Sequence, residues 1–181
     1  ISYFELFRFA YKFTPFTSAS LVFPKNEAIE FLKTQQRPFR IMTTDRRIMH
    51  PNSSSAYKIE SIDGYDPLYL IDYSDFISSW QSADGKVGSG SYNRIITPQK
   101  INFNFMNISN VKYVLSFDVI ENENLNQVFQ LGETKIYENI NSNPRAYFVS
   151  RVTKKNSKEE ELMSISSPSF APLINATSQD L

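Results

Sequence analysis

The sequence predicts a single domain of α+β (or α/β) class, a mixed sheet of about five strands flanked by about three helices. Three observations predict it. Val111 to Phe117 is a near-continuous run of β-branched, aromatic and aliphatic residues, as a strand covered on both faces requires. Segments 25–36 and 69–81 repeat apolar residues at helical spacing. The residues on either side of Gly132-Glu133-Thr134 have the pattern of a hairpin.

Residues 1–24 form an aromatic-rich lead-in. Phe7, Phe9, Tyr11 and Phe13 alternate with polar or small residues, which predicts a half-buried strand or extended segment. Pro15 and Pro24 argue against one continuous helix. Helix 25–36 starts from Asn26, a good N-cap, with Glu27 in its first turn and Ala28, Ile29, Phe31 and Leu32 as its apolar face. Pro38 ends it, and 39–44 reads as a strand. Residues 45–66 look irregular. Leu70, Ile71, Tyr73, Phe76, Ile77 and Trp80 give the face of helix 69–81.

Residues 82–100 carry Gly85, Gly88, Gly90 and Pro98 and predict a surface loop. A short helix over 102–108 precedes the central strand 111–117. Asn-rich 121–126 is a turn, and 127–131 pairs with 135–138 in the hairpin. Residues 145–152 alternate like a further strand, and 155–166 is a third helix stopped by Pro168. The last ten residues read as a polar, fraying tail. The expected division is a lead-in over 1–24, a domain over 25–168 and a tail over 169–181. There is no internal repeat.

Composition excludes several classes. Lys plus Arg equals Asp plus Glu at 19 each, so no basic stripe recruits a phosphate backbone and no nucleic-acid partner is expected. Cysteine is absent, which removes disulfides, thiolate nucleophiles and Cys-based metal sites. No apolar stretch approaches the roughly 20 residues that cross a bilayer. Ile1-Ser2-Tyr3-Phe4-Glu5 has neither an initiator Met nor a basic-then-apolar leader, so the chain is expected to be a piece of something longer.

Each candidate site residue has a structural alternative. His50 is the one histidine and sits beside Pro51 without a nucleophile motif, as a surface loop residue would. Asp63, Asp66, Asp72 and Asp75 cluster around Gly64-Tyr65. Paired carboxylates can move protons or bind calcium, yet Asp63-Gly64 is also a turn dipeptide, and Asp66-Pro67 resembles a helix entry. Gly85-Lys86-Val87-Gly88-Ser89-Gly90 follows no strand and is no phosphate cradle. Arg145 could pair with a carboxylate or a phosphate, or form an ion pair at a strand mouth. Trp80 and the Tyr65, Tyr69 and Tyr73 group could stack on sugar rings, although core packing is the commoner fate of such rings. Asn52, Asn107 and Asn175 begin glycosylation triplets that a chain rich in Asn and Ser produces by chance. No cofactor is implied.

Three strings occur in order: Gly64-Tyr65-Asp66-Pro67-Leu68-Tyr69, then Asn110-Val111-Lys112-Tyr113-Val114-Leu115, then Tyr137-Glu138-Asn139 with Pro144-Arg145-Ala146. Helix 25–36 ahead of Phe39-Arg40-Ile41 adds a fourth piece. Together the pieces resemble the extracytoplasmic portion of the YfhO-type bacterial membrane proteins, polytopic proteins related to lipid-dependent glycosyltransferases. The resemblance covers roughly residues 20 to 172 and departs at Ser109, where the family pattern has Leu. It implies a soluble domain on the outer side of the cell membrane, whose partners are the membrane-embedded portion of the same chain and a cell-envelope glycan or lipid-linked sugar. It implies that the catalytic acids lie outside this piece, so no catalytic residue or metal is carried over. Asp63, Gly64, Tyr65, Asp66, Trp80 and Arg145 stand as candidate ligand or interaction residues. The alternatives are a free-standing small-molecule or peptide-binding module, and a hydrolase using Asp63 or Asp66.

Overall fold

The structure is a computed structural model and describes residues 2–13, 17–82, 94–172 and 175–178. Its centre is a mixed five-stranded sheet. The strands are β1 (Arg40–Thr43), β2 (Glu60–Ser61), β5 (Val111–Ser116), β6 (Leu125–Leu131) and β7 (Thr134–Asn139), in spatial order β2-β1-β5-β7-β6. β1 runs parallel to β2 and β5, while β5, β7 and β6 are antiparallel neighbours. The apolar run at 111–116 therefore occupies the middle of the sheet, where both faces must be covered.

Two apolar layers cover them. On one face α2 (Glu27–Thr34) lays Ala28, Ile29 and Leu32 against Ile41, Tyr113, Leu115 and Ile136. On the other, α4 (Ile71–Gln81), α5 (Phe103–Ile108) and α6 (Lys158–Ser166) bring Ile77, Trp80, Phe105, Met106 and Leu162 onto Met42, Val111, Val114 and Tyr137. Val111 and Tyr113 share parity yet face opposite layers. The register explains it: Arg40 pairs with Val111 but Ile41 with Tyr113, so an irregularity at Lys112 turns the strand over.

Asn26 caps α2 by accepting from the backbone N–H of Ile29 at 2.8 Å, an arrangement that contributes about 1 kcal/mol. Ser157 caps α6 in the same way from Glu160. Among the described residues no helix is long and apolar enough to cross a membrane.

Four local expectations are corrected. The segment around Phe7 to Phe13 is not a strand but α1 (Ser2–Phe13), a helix with no buried residue. Positions 7, 9, 11 and 13 fit period 2, but they also form two i,i+4 pairs. The rings of Phe9 and Phe13 lie 4.5 Å apart and those of Phe7 and Tyr11 6.4 Å, while Arg8, Ala10 and Lys12 are good helix formers. The strand expected over 145–152 is confined to β8 (Arg151–Lys154), because Arg145 is drawn off to partners elsewhere and Phe148 stands fully in solvent. The tail is not wholly frayed: β9 (Asn175–Ser178) pairs in parallel with β8. Residues 45–66 hold a short helix, α3 (Ser53–Ala56), then β2 and β3 (Gly64–Tyr65). β3 pairs antiparallel with β4 (Ile95–Ile96). The glycine-rich stretch with Gly85, Gly88 and Gly90 lies outside the described residues.

Candidate functional site

The predicted set around Gly64 divides once folded. Asp63 lies two residues beyond β2, at the carboxyl end of the parallel strands, where open α/β sheets place ligands. Its Oδ2 accepts from the Thr43 hydroxyl at 2.9 Å, the Thr43 backbone N–H at 3.3 Å and the Ser61 hydroxyl at 3.1 Å. Its Oδ1 is sealed from solvent without a partner. Burial outweighs these hydrogen bonds and pushes the carboxyl up from 3.8 to about 6. Tyr73, whose hydroxyl donates to the Ile62 carbonyl, is pushed up to about 12, by burial first and by the Asp63 charge second. The register that pairs Gly64 with Ile96, carried one residue further, sets Asp63 opposite Thr97. The Thr97 hydroxyl is likewise buried and unpartnered.

Tyr65 is held by a side chain that the sequence marked only as the start of a glycosylation triplet. Asn52, with φ 71°, accepts from the Tyr65 N–H at 3.0 Å and donates to the Tyr65 carbonyl at 2.6 Å, imitating a neighbouring strand. The left-handed conformation at a position directly before α3 is common for Asn, and Asn-Ser-Ser was the available signal. The His50 ring lies 6.0 Å from that of Tyr65.

The other candidates each have partners within the fold. Asp66 closes an Asx turn by accepting from the Leu68 N–H at 2.7 Å. Asp72 and Asp75 both take Lys158 of α6, at 2.8 and 2.7 Å, and hold its ammonium above its ordinary range. Trp80 is 1% exposed, donates to the Lys100 carbonyl at 2.8 Å and stacks on Phe105, so no ring face is open to a sugar. Arg145 pairs with Glu60 at 2.7 Å and donates to Asn110 at 3.3 Å. The four aspartates thus do not form one cluster. Among the described residues no group of three or more His, Asp or Glu could hold a metal.

Two concavities flank the loop that carries α3. A polar cleft of about 640 Å³ runs along the edge strand β2, from Arg37 and Lys58 to Ser61 and Asp63. Ser54 and Ser55 line it as well, beside Asn52, whose amide already holds Tyr65. A second cavity, of about 230 Å³, lies between α2 and residues 48–57, where Ile29, Ile48 and Met49 meet Asn26, His50 and Ser53.

Compared with protein families, curated proteins and solved structures, the chain matches none.

Proposed function

We propose that this chain is the extracytoplasmic domain of a membrane-embedded protein that transfers a sugar from a lipid-linked donor. In this reading it binds the acceptor glycan or scaffolds the membrane core and performs no chemistry itself. The observation that carries the membrane part is α1. Its seven large apolar side chains, Tyr3, Phe4, Leu6, Phe7, Phe9, Tyr11 and Phe13, are each at least 61% exposed. At 100° per residue its charges, Glu5, Arg8 and Lys12, fall within an arc of roughly 60°, leaving an apolar arc of roughly 220°. Exposed aromatic faces of this size mark a contact with a partner or a membrane. At about 1.5 Å per residue, the twelve residues of α1 extend about 18 Å, enough to lie along a headgroup boundary.

The ordered strings support the sugar-handling part through resemblance. The second and third also meet in space: Asn110 directly precedes β5, Asn139 ends the neighbouring β7, and Arg145 bonds to Asn110. The glycan role is read from the polar cleft at Asp63. Titration of the purified chain with cell-envelope glycans tests it. Saturable binding that Ser61→Ala and Asp63→Asn weaken supports the acceptor role, and absence of binding to every glycan leaves only scaffolding. The coding sequence around residues 1–181 tests the parent: apolar spans of about 20 residues are expected there.

A further inference from the structure

The neutral groups of the polar cleft along β2 are turned inward. Ser55 donates to the Asn52 carbonyl at 2.6 Å, Ser61 shares its hydroxyl between the Ile41 carbonyl and Asp63, and the Asn52 amide holds Tyr65. Ser54 is buried. The cations of the cleft are different. Arg37 and Lys58 both line it and are exposed, and their side chains have no hydrogen bond or ion pair among the described residues.

The sheet brings these two together. Arg40 of β1 pairs with Glu60 of the parallel β2, so Arg37 and Lys58, just ahead of those strands, stand at the same end of the cleft. The carboxylate beside them, Glu60, is already faced by Arg145 at 2.7 Å and Arg40 at 3.9 Å. Asp63 lies toward the other end, with Oδ2 taken by Thr43 and Ser61. The open charge at the amino end is therefore positive, in a chain whose charges balance overall. Lys58 also holds φ 58°, a helix-end position that glycine occupies with less strain. Backbone strain at the rim of a cleft is a feature of binding sites.

Phosphate groups are commonly cradled by clustered backbone N–H groups. In this loop the N–H groups of Ser53, Ser55, Tyr57, Lys58 and Ile59 all bond to carbonyls within residues 50–55, which leaves no such cradle. A carboxylate needs none. The guanidinium fork can hold both its oxygens, and an ammonium adds a point charge.

We propose that Arg37 and Lys58 bind the carboxylate of an acidic sugar, so that the glycan class taken by the cleft is a uronate-bearing one. This rests on the glycan-binding reading and narrows it.

Calorimetric titration of the purified chain with tri-galacturonate, alongside neutral maltotriose, tests it. Tri-galacturonate should bind saturably and at least about tenfold more tightly, with an affinity that falls as salt rises. Arg37→Gln and Lys58→Gln should each weaken it several-fold. Arg37→Lys, which keeps the charge and loses the fork, should weaken it too. Both positions are exposed, so these variants should fold, and circular dichroism checks that they do. Equal affinity for the two sugars would overturn the proposal and leave the glycan reading standing. So would binding of some other envelope glycan with none of tri-galacturonate. Absence of binding to any glycan would end both. Full tri-galacturonate affinity in the folded Arg37→Gln/Lys58→Gln double variant, or tighter binding of glucose 1-phosphate than of glucuronate, would also overturn the proposal. A double variant that loses only its attachment to anionic vesicles would assign the two cations to the membrane surface instead.

Discussion

Arg145 Nε donates to the side-chain oxygen of Asn110 at 3.3 Å, joining positions 35 residues apart at the mouth of the central strand. The amide of Asn110 meanwhile donates to the Asn143 carbonyl at 2.8 Å, and its backbone holds φ 57°. Asn110 thus satisfies three demands at once: a left-handed residue ahead of β5, an anchor for the 140–145 segment, and an acceptor for Arg145.

Asn110→Ala should cost about 2–3 kcal/mol, because it strands a buried carbonyl and strains the backbone. Asn110→Gly relieves the strain and should cost less. Arg145→Ala should cost about 1 kcal/mol or less, since its partner Glu60 is half exposed. Urea denaturation of the three variants checks the order. An alanine variant no worse than the glycine one would refute the conformational part.

Asp63 makes stability pH-dependent. Its folded pKa is raised, from 3.8 to about 6, so its contribution is fully present below about pH 3.8 and is lost as pH rises through about 6. The loss amounts to up to about 3 kcal/mol. Asp63→Asn keeps an acceptor for Thr43 and abolishes the titration. It should flatten the stability profile between pH 4 and pH 6.5 and raise Tm at pH 7.5. An unchanged slope would show that the carboxyl is not desolvated.

Lys58 is left-handed, with φ 58°, where α3 ends. The Ile59 N–H bonds the Ser54 carbonyl and the Lys58 N–H that of Ser55, which makes Lys58 the position that glycine usually holds in this kind of helix end. Lys58→Gly should raise stability by about 0.5–1 kcal/mol in the absence of ligand. If the polar cleft binds an acidic glycan, the same change should weaken that binding, so thermal melts with and without the glycan separate the two effects.

Trp80→Phe should destabilise by about 1–3 kcal/mol, through the Lys100 carbonyl left without its donor and the lost ring volume. It should leave any glycan affinity unchanged, because the ring is core. Isothermal titration at a temperature where the variant is folded checks this; a specific loss of affinity would return Trp80 to the binding surface.

How much could be read in advance depended on how local the cause was. The central strand was legible because covering both faces forces a continuous apolar run from Val111 onward. Helix α2 was legible because Asn26 and its apolar face announce it. α1 misled because its i,i+4 aromatic pairs also fit a period of two, and only a backbone decides between them. β8 and β9 pair across the intervening residues 155–174, which include α6, and neither carries an apolar pattern of its own. Asp63 was visible as a turn residue, but its desolvation depends on Thr43, which arrives from another strand. The cavity beside α2 draws its walls from α2, the 48–57 loop, β5, β6 and β7, so no window of sequence contains it.

Flotation of the chain with vesicles of phosphatidylcholine and phosphatidylglycerol at 3:1 tests most directly that α1 is a lipid-facing element. The account predicts that the chain rises with the vesicles, that Phe4→Ser, Phe7→Ser and Tyr11→Ser together leave it at the bottom, and that the variant's fold is unchanged. A native chain that stays at the bottom at every lipid concentration, with α1 intact, would contradict it.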